Sequence, residues 1–349
     1  MRILKIVFYN FFVFFLTITL IELFFGYWFD EDNLGPYMRE YRMKKVQYSV
    51  KYKNDYYDYV YKRNYHGFRG DEIDLEEIKA VLIGGSTADE RYKPENLTIT
   101  GFLNKKFKED KIDIKVTNAG IEGQSTFGHI YNFQNWFPKL KGFNPDYFIF
   151  YVGINDSKNF TEKNKMNPIG DIKNNSKLKN FKDNFKSRSV FYDLLRKIKH
   201  KYYSNEKKIV YDFDHGIKNY IKDNDYKFLK FDEALRLYDF NTLLKKYEKP
   251  IALYLNNIDI LVKNSKIFGA QPIFINQLTH EGNFSERLVA LNYSLINHCK
   301  LKNYFCIDLA KKLDGKKDFW WDGLHTTAEG SKVIAEIVYP QLKKLMVVN

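Results

Sequence analysis

The sequence predicts an α/β protein built on a central parallel β-sheet and preceded by one N-terminal transmembrane helix. Short runs that end at Gly, Asn or Asp alternate with longer amphipathic stretches, which is typical of alternating strands and helices. The runs are apolar at nearly every position, as in strands covered on both faces. The chain has 349 residues, 44% of them hydrophobic, which suffices for one large domain with attachments.

An apolar segment of 24 residues, from 6 to 29, carries a single charge at Glu22. As a helix it would be about 36 Å long, enough to span a bilayer. It ends in bulky Tyr27 and Trp28, which are unlike a signal-peptide cleavage site and typical of a membrane interface. We interpret residues 1–29 as a transmembrane anchor. We expect a single-pass membrane protein whose main domain is extracytoplasmic, although the flanking charges alone do not decide the orientation.

The remaining chain divides into a lead-in and a domain. Residues 30–70 show no long periodic pattern, and we interpret them as a stalk with a short extended lead-in. The domain is predicted at 71–349, with strands at 80–84, 114–120, 147–153, 272–277 and 304–309. Helices are predicted near 96–109, 127–140, 248–266, 284–300 and 327–346. The interval of about 157–248 is too long for one connection, so we interpret it as an insertion that contains a helix at 187–203.

The formal net charge is +13, and residues 158–208 hold fifteen Lys or Arg against five Asp or Glu. Such a segment could bind an anionic polymer or anionic lipid. A solvated, lysine-rich surface is the simpler interpretation. No nucleic-acid-binding motif accompanies the charge, so we do not expect nucleic acid as a partner.

Two cysteines occur, Cys299 and Cys306, and their spacing fits no zinc or redox signature. We favour two buried thiols, with a disulfide as the alternative in an oxidising compartment. The sequence has no cluster of ligands with metal-binding spacing and no phosphate-binding loop, so neither a metal nor a cofactor is expected.

Four polar motifs coincide with the ends of predicted elements. Ser86 follows the first strand in GGST, Gly123 follows the second in NAGIEG, and Asn155 follows the third in GIND. Asp322 and His325 precede the last helix in DGLH. Each motif alone is an ordinary turn or helix cap. Because ligands bind beyond the carboxyl ends of parallel strands, the combination predicts a nucleophile, an oriented base and oxyanion donors at one site.

The order of these motifs resembles the SGNH/GDSL hydrolase superfamily over roughly residues 64–345, and in particular an exported, membrane-anchored bacterial subset with a GGST first block. The resemblance implies a three-layer, flavodoxin-like fold. It implies Ser86 as nucleophile, Asp322 and His325 as acid and base, and an oxyanion hole formed by Ser86, Gly123 and Asn155. One departure is Gly85, where most family members have aspartate.

The resemblance further implies a serine esterase that removes an acyl group, by analogy acetyl, from a cell-envelope carbohydrate. We expect Gln277, His280 and Trp321 to line the substrate site. The same triad would serve an O-acyltransferase for surface polysaccharide, paired with a membrane partner that supplies the acyl donor. A non-catalytic envelope binding protein is a third interpretation, which the intact Ser, Asp and His disfavour.

Overall fold

The computed structural model describes residues 2–29, 34, 38–39, 41–52, 55–158, 177–202, 209–212 and 226–347. The strands are β1 (Lys44–Tyr52), β2 (Asp55–Arg63), β3 (Ala80–Gly84), β4 (Val116–Asn118), β5 (Tyr147–Val152), β6 (Ile209–Asp212), β7 (Gln271–Asn276) and β8 (Phe305–Ile307).

The helices of the N-terminal half are α1 (Arg2–Phe25), α2 (Ser86–Asp89), α3 (Ile99–Glu109), α4 (Thr126–Asn135) and α5 (Ile154–Lys158). Those of the C-terminal half are α6 (Lys177–Arg188), α7 (Val190–Tyr202), α8 (Phe231–Leu237), α9 (Phe240–Lys246), α10 (Glu248–Ile267), α11 (Glu286–Lys302), α12 (Leu309–Lys312) and α13 (Ala328–Val347).

The central sheet has five parallel strands in the order β4-β3-β5-β7-β8. Counted along the sheet's own strands, this is the order 2-1-3-4-5 of flavodoxin-like, doubly wound folds. The predicted parallel sheet is therefore confirmed. In this topology the strand order reverses beside β3, so a site is expected at the carboxyl end of that strand.

The sheet is covered on both faces because neighbouring residues of each strand point in opposite directions. Val81 and Ile83 pack into a core that includes α4, α10 and α11. Ala80 and Leu82 pack into the opposite core, formed with α3 and α13. All five residues of β3 are buried, which explains why its sequence is apolar throughout.

A second sheet is formed by the accessory hairpin β1–β2, whose strands pair in antiparallel register, and by β6, which pairs in parallel with β1. Four residues of β1 at alternate positions point into one apolar cluster with Trp321: Val46, Tyr48, Val50 and Tyr52. The ring of Tyr52 meets Trp321 edge-on at 5.1 Å. The structure thus has a packed hairpin in the segment where the sequence predicts a stalk.

The accessory hairpin is joined to the central domain through buried charge. Arg63 donates through Nη1 to Asp89 Oδ1 at 3.0 Å and to the carbonyl of Gly120 at 2.8 Å. Tyr61 donates its hydroxyl to the same Asp89 oxygen at 2.7 Å. Arg69, in the segment that follows the hairpin, donates to the carbonyls of Asp89 and Lys93. These contacts hold the lead-in against the helix that begins with Ser86.

The N-terminal helix α1 has no buried residue along its 24 described positions and is long and apolar enough to cross a membrane. The predicted insertion contains α6 to α9 and β6 in its described part; residues 159–176, 203–208 and 213–225 lie outside the described residues. The helix predicted at 187–203 corresponds to α7 (Val190–Tyr202), and only its first two residues belong to the end of α6.

The two cysteines form a disulfide between Cys299, at the end of α11, and Cys306, on β8. The preference for two buried thiols was therefore wrong. The thiols meet because Asn303 adopts a left-handed conformation with φ of 55° just after α11. This turn sends the chain directly back along the helix end into β8.

Candidate active site

Ser86 lies at the first position of α2, directly after the buried strand β3. Its Oγ is 2.8 Å from Nε2 of His325. The two residues are 239 positions apart in the chain. They meet because the loop before α13 lies beside the carboxyl end of β3. This contact is what a hydroxyl nucleophile and its general base require.

Asp322 orients the histidine from the other side. Its Oδ2 lies 2.8 Å from His325 Nδ1, and its Oδ1 accepts the backbone N–H groups of Leu324 at 2.7 Å and His325 at 2.8 Å. Although burial alone would raise the pKa of Asp322, these hydrogen bonds and the charge of His325 lower it to about 2. The carboxylate therefore stays ionised and keeps the Nδ1 proton facing it.

Three groups at the carboxyl end of the central sheet are potential oxyanion donors. Among the described residues, the backbone N–H groups of Ser86 and Gly123 have no hydrogen-bond acceptor. Gly123 has φ of 76°, a conformation that favours glycine. Asn155 donates one Nδ2 proton to the carbonyl of Gln124 at 2.7 Å, which leaves its second amide proton for another acceptor.

The presence of glycine at position 85, where the family that the sequence resembles usually has aspartate, has a steric explanation. A Cβ at Gly85 would overlap the Nδ2 of Asn155 and lie 3.0 Å from the carbonyl oxygen of Gln124. The φ of Gly85 is −84°, which any residue can adopt, so the requirement comes from space and not from the backbone. The side chain of Asn155 therefore sits directly on the peptide that carries the nucleophile.

Gln277, which is expected to line the substrate site, connects two parts of the site. It is buried, donates through Nε2 to Thr87 Oγ1 at 2.7 Å and accepts the backbone N–H of Ile154 at 3.0 Å. Thr87 follows the nucleophile and Ile154 precedes Asn155. The side chain thus fixes the spacing between the Ser86 helix and the Asn155 turn.

A second connection runs between the serine and histidine loops through a buried ion pair that no local sequence motif indicates. Lys93 Nζ lies 2.8 Å from Glu90 Oε1. The same ammonium donates to the carbonyls of Thr326 and Thr327, the two residues that follow His325. Burial lowers the pKa of Lys93 to about 8 against the opposing effect of Glu90. We call this group the Lys93 latch.

The other two predicted substrate residues have mainly structural contacts. Trp321 is buried and packs against the accessory hairpin, so neither face of its ring is open to a sugar. His280 lies against the catalytic loop, with Nδ1 3.1 Å from the carbonyl of Gly323. Tyr92, which belongs to none of the four sequence motifs, meets the ring of His325 edge-on at 5.9 Å between centroids. Within the described ranges, no group of three or more His, Cys, Asp and Glu could hold a metal ion.

Several solved structures are similar to this chain at low sequence identity. The crystal structure of TesA is 12% identical with a TM-score of 0.43, over 76% of this chain and 99% of that one. The psychrotrophic esterase EstA from Pseudoalteromonas sp., inhibited by monoethylphosphonate, is 14% identical with a TM-score of 0.42, over 77% and 98%. A GDSL-like lipase from Bacteroides thetaiotaomicron is 12% identical with a TM-score of 0.38, over 78% and 91%. No curated protein matches the chain significantly.

A family model described as GDSL-like Lipase/Acylhydrolase matches residues 220–338. The matched range includes β7, Asp322 and His325. It begins at residue 220, so Ser86 lies before it. The four motifs before and within this range follow one another in the family's order. Over these residues the chain is therefore similar to GDSL-like lipases and acylhydrolases, which supports an SGNH-type ester hydrolase.

Proposed function

We propose that this chain is a serine esterase that removes an acyl group, in the simplest case acetyl, from a carbohydrate of the cell envelope through an acyl-enzyme. The observation that carries the proposal is the hydrogen-bonded series from Asp322 through His325 to Ser86, with 2.8 Å at each step. This series lies beside backbone and amide donors at the carboxyl end of the central sheet.

In the first half-reaction, Ser86 Oγ attacks the ester carbonyl while His325 Nε2 takes the hydroxyl proton. The oxyanion of the tetrahedral intermediate accepts hydrogen bonds from the N–H groups of Ser86 and Gly123 and from the Asn155 amide. The bond between the carbonyl carbon and the alcohol oxygen then breaks. His325 gives its proton to the departing alkoxide, so that the free sugar hydroxyl leaves and the acyl group remains on Ser86.

In the second half-reaction, water attacks the acyl-enzyme and gives a proton to His325. The tetrahedral intermediate collapses, the bond between Ser86 Oγ and the acyl carbon breaks, and His325 returns the proton to the serine. Asp322 remains ionised in both steps because its pKa is about 2. It stabilises the imidazolium and takes no proton itself.

The proposed location is the outer face of a membrane, with α1 as the anchor. The disulfide between Cys299 and Cys306 supports an extracytoplasmic domain, since disulfides persist in oxidising compartments. A carbohydrate ester in the envelope is the substrate class within reach of a tethered enzyme there. The acetyl group is proposed by family analogy.

The test is labelling of the detergent-solubilised full chain with a fluorophosphonate probe, which reacts with activated serines. We expect labelling of the wild type and none of the Ser86→Ala and His325→Ala variants. Labelling that persists in Ser86→Ala would refute the proposed nucleophile. Acetate release from an acetylated polysaccharide, measured with and without added sugar acceptor, then distinguishes hydrolysis from acyl transfer. If acetyl groups are recovered on the acceptor in place of free acetate, the chain is an acyltransferase and not an esterase.

A further inference from the structure

Helix α7 has its apolar side facing away from the protein. Phe191, Leu194, Leu195, Ile198 and Tyr202 recur at helical spacing and form one stripe. All five are exposed, including Leu194 at 51% and Leu195 at 61% of their surface. An amphipathic helix on a water-soluble domain normally turns such a stripe toward the core. In α7 the orientation is reversed.

Polar contacts hold α7 in this orientation. Asp193, on the face opposite the stripe, is buried and pairs with Arg42 at 3.1 Å. The hydroxyl of Tyr27 donates to the same carboxylate at 3.2 Å. One turn further on, Arg196 donates to the backbone carbonyl of Arg42 at 2.7 Å. Turning the apolar stripe inward would break a buried ion pair, so the exposed stripe is a fixed property of the fold.

The preceding helix α6 extends the exposed apolar surface. Leu178, Phe181 and Phe185 lie on one side at spacings of three and four, with Leu178 exposed at 76% and Phe181 at 70%. The two helices together, residues 177–202, contain nine Lys or Arg and two Asp. We call them the amphipathic helix pair. Apolar residues on one face with abundant lysines are typical of helices that lie in a membrane interface.

The corner between the two helices sits at the end of the N-terminal helix α1. Glu22 accepts hydrogen bonds from the Ser189 hydroxyl and from the N–H of Val190. Tyr27 donates its N–H to the carbonyl of Arg188 at 2.7 Å. The rings of Trp28 and Phe185 meet at 5.2 Å between centroids. The helix pair is therefore attached where the apolar helix ends and its interfacial aromatic residues begin.

We propose that the amphipathic helix pair lies flat in the interface of the bilayer that α1 spans, with its apolar stripes at the acyl boundary and its lysines against anionic phosphate headgroups. Three observations carry this proposal together: the reversed orientation of α7, the positive charge of the pair, and its continuity with the end of α1. The helix pair then fixes the catalytic domain against the membrane surface, whereas a flexible tether would let the domain rotate freely.

The test measures the depth of one residue in the bilayer. Leu195→Cys carries a fluorophore on the full chain, reconstituted into phosphatidylcholine/phosphatidylglycerol vesicles that contain a phospholipid with a nitroxide near its headgroup. The native cysteines are paired, so the introduced thiol is the reactive one. Leu237→Cys is the matched control. Leu237 is also a leucine and is 58% exposed, but it ends α8, which packs near α12 at the β8 edge.

We expect the lipid nitroxide to quench the label at position 195 several-fold more than the label at 237, and aqueous iodide to do the opposite. Flotation of the vesicles reports separately whether the chain is membrane-bound. A chain that floats while both labels respond alike would overturn this inference and leave the anchor intact. A chain that does not float would overturn both. If the lipid nitroxide quenches the label at position 195 as strongly in purely neutral vesicles as in vesicles with phosphatidylglycerol, the assignment of anionic headgroups is overturned.

Discussion

Replacement of Gly85 by alanine tests whether the position of the Asn155 amide controls catalysis. The new Cβ would overlap Asn155 Nδ2 and approach Asn155 Cγ to 3.4 Å. The carbonyl of Gln124 lies 3.0 Å from the same point and belongs to the backbone, so the flexible amide must move. We estimate a displacement of about 1 Å, enough to take a donor out of the geometry that transition-state stabilisation requires.

The expected result is a loss of turnover of about 10²- to 10³-fold, the usual effect of removing one oxyanion donor. The assay is hydrolysis of p-nitrophenyl acetate by the detergent-solubilised full chain, with circular dichroism to verify that each variant is folded. Because the backbone at Gly85 has φ of −84°, alanine adds no conformational strain. The predicted loss is thus in kcat rather than in stability.

A double-mutant cycle makes the prediction specific. Asn155→Ala alone should lower turnover by a similar factor. Gly85→Ala should then cost little more in the Asn155→Ala background, because the group that it displaces is already absent. Unchanged turnover in Gly85→Ala, or losses that multiply in the double variant, would refute the idea that Gly85 acts through Asn155.

Three further predictions concern titratable groups in the site and beside it. Lys93→Met leaves Glu90 buried without its cation, so we expect a loss of about 3 to 5 kcal/mol of stability, seen as a lower melting temperature. The exposed control Lys105→Met should leave the melting temperature unchanged. An unchanged melting temperature in Lys93→Met would contradict a stabilising role of the Lys93 latch. Asp322→Asn should lower turnover by about 10⁴-fold through the wrong histidine tautomer, and a loss below tenfold would contradict its orienting role. Burial raises the pKa of Asp156 from 3.8 to about 6, so the folded state binds the proton more tightly. This contribution to stability is complete below the ordinary pKa and is lost as the pH rises through about 6. Asp156→Asn should remove this loss, worth about 2 to 3 kcal/mol between pH 4 and 7, and parallel denaturation profiles for both proteins would show the prediction to be wrong.

The central fold could be predicted because its strands are short, apolar and separated by recognisable helices. Runs such as AVLIG at 80–84 coincide with β3, and the order of the motifs indicated which strand ends would converge. The accessory hairpin was missed although β1 alternates Val46, Tyr48, Val50 and Tyr52 with polar residues. That period of two was the available signal, but abundant lysine and tyrosine made the segment resemble a stalk.

Contacts between distant residues were beyond sequence reasoning. Lys93 and the carbonyl of Thr326 are separated by 233 positions, and nothing local to either indicates that they meet. The space around Gly85 depends on the rotamer of Asn155, which lies in the short helix α5 after β5. The burial of Trp321 depends on the accessory hairpin. Because the hairpin was not predicted, an aromatic residue beside Asp322 was expected to line the substrate site.

The pairing of Arg63 with Asp89 has a consequence for where this domain begins. Motif positions place the start near residue 71, yet Arg63, only 1% exposed, belongs to the accessory hairpin and neutralises a carboxylate three residues after the nucleophile. A truncated protein that starts at residue 71 would lose Arg63 and Tyr61 as partners of Asp89, and of its two arginine partners only Arg91, at 3.6 Å, would remain. Removal of one partner from a buried pair costs about 3 to 5 kcal/mol, a large fraction of the ~5–15 kcal/mol that stabilises a typical domain. The smallest part of this chain expected to fold alone therefore includes the accessory hairpin and the buried Leu34 and Met38 before it, all of which precede the first recognisable motif.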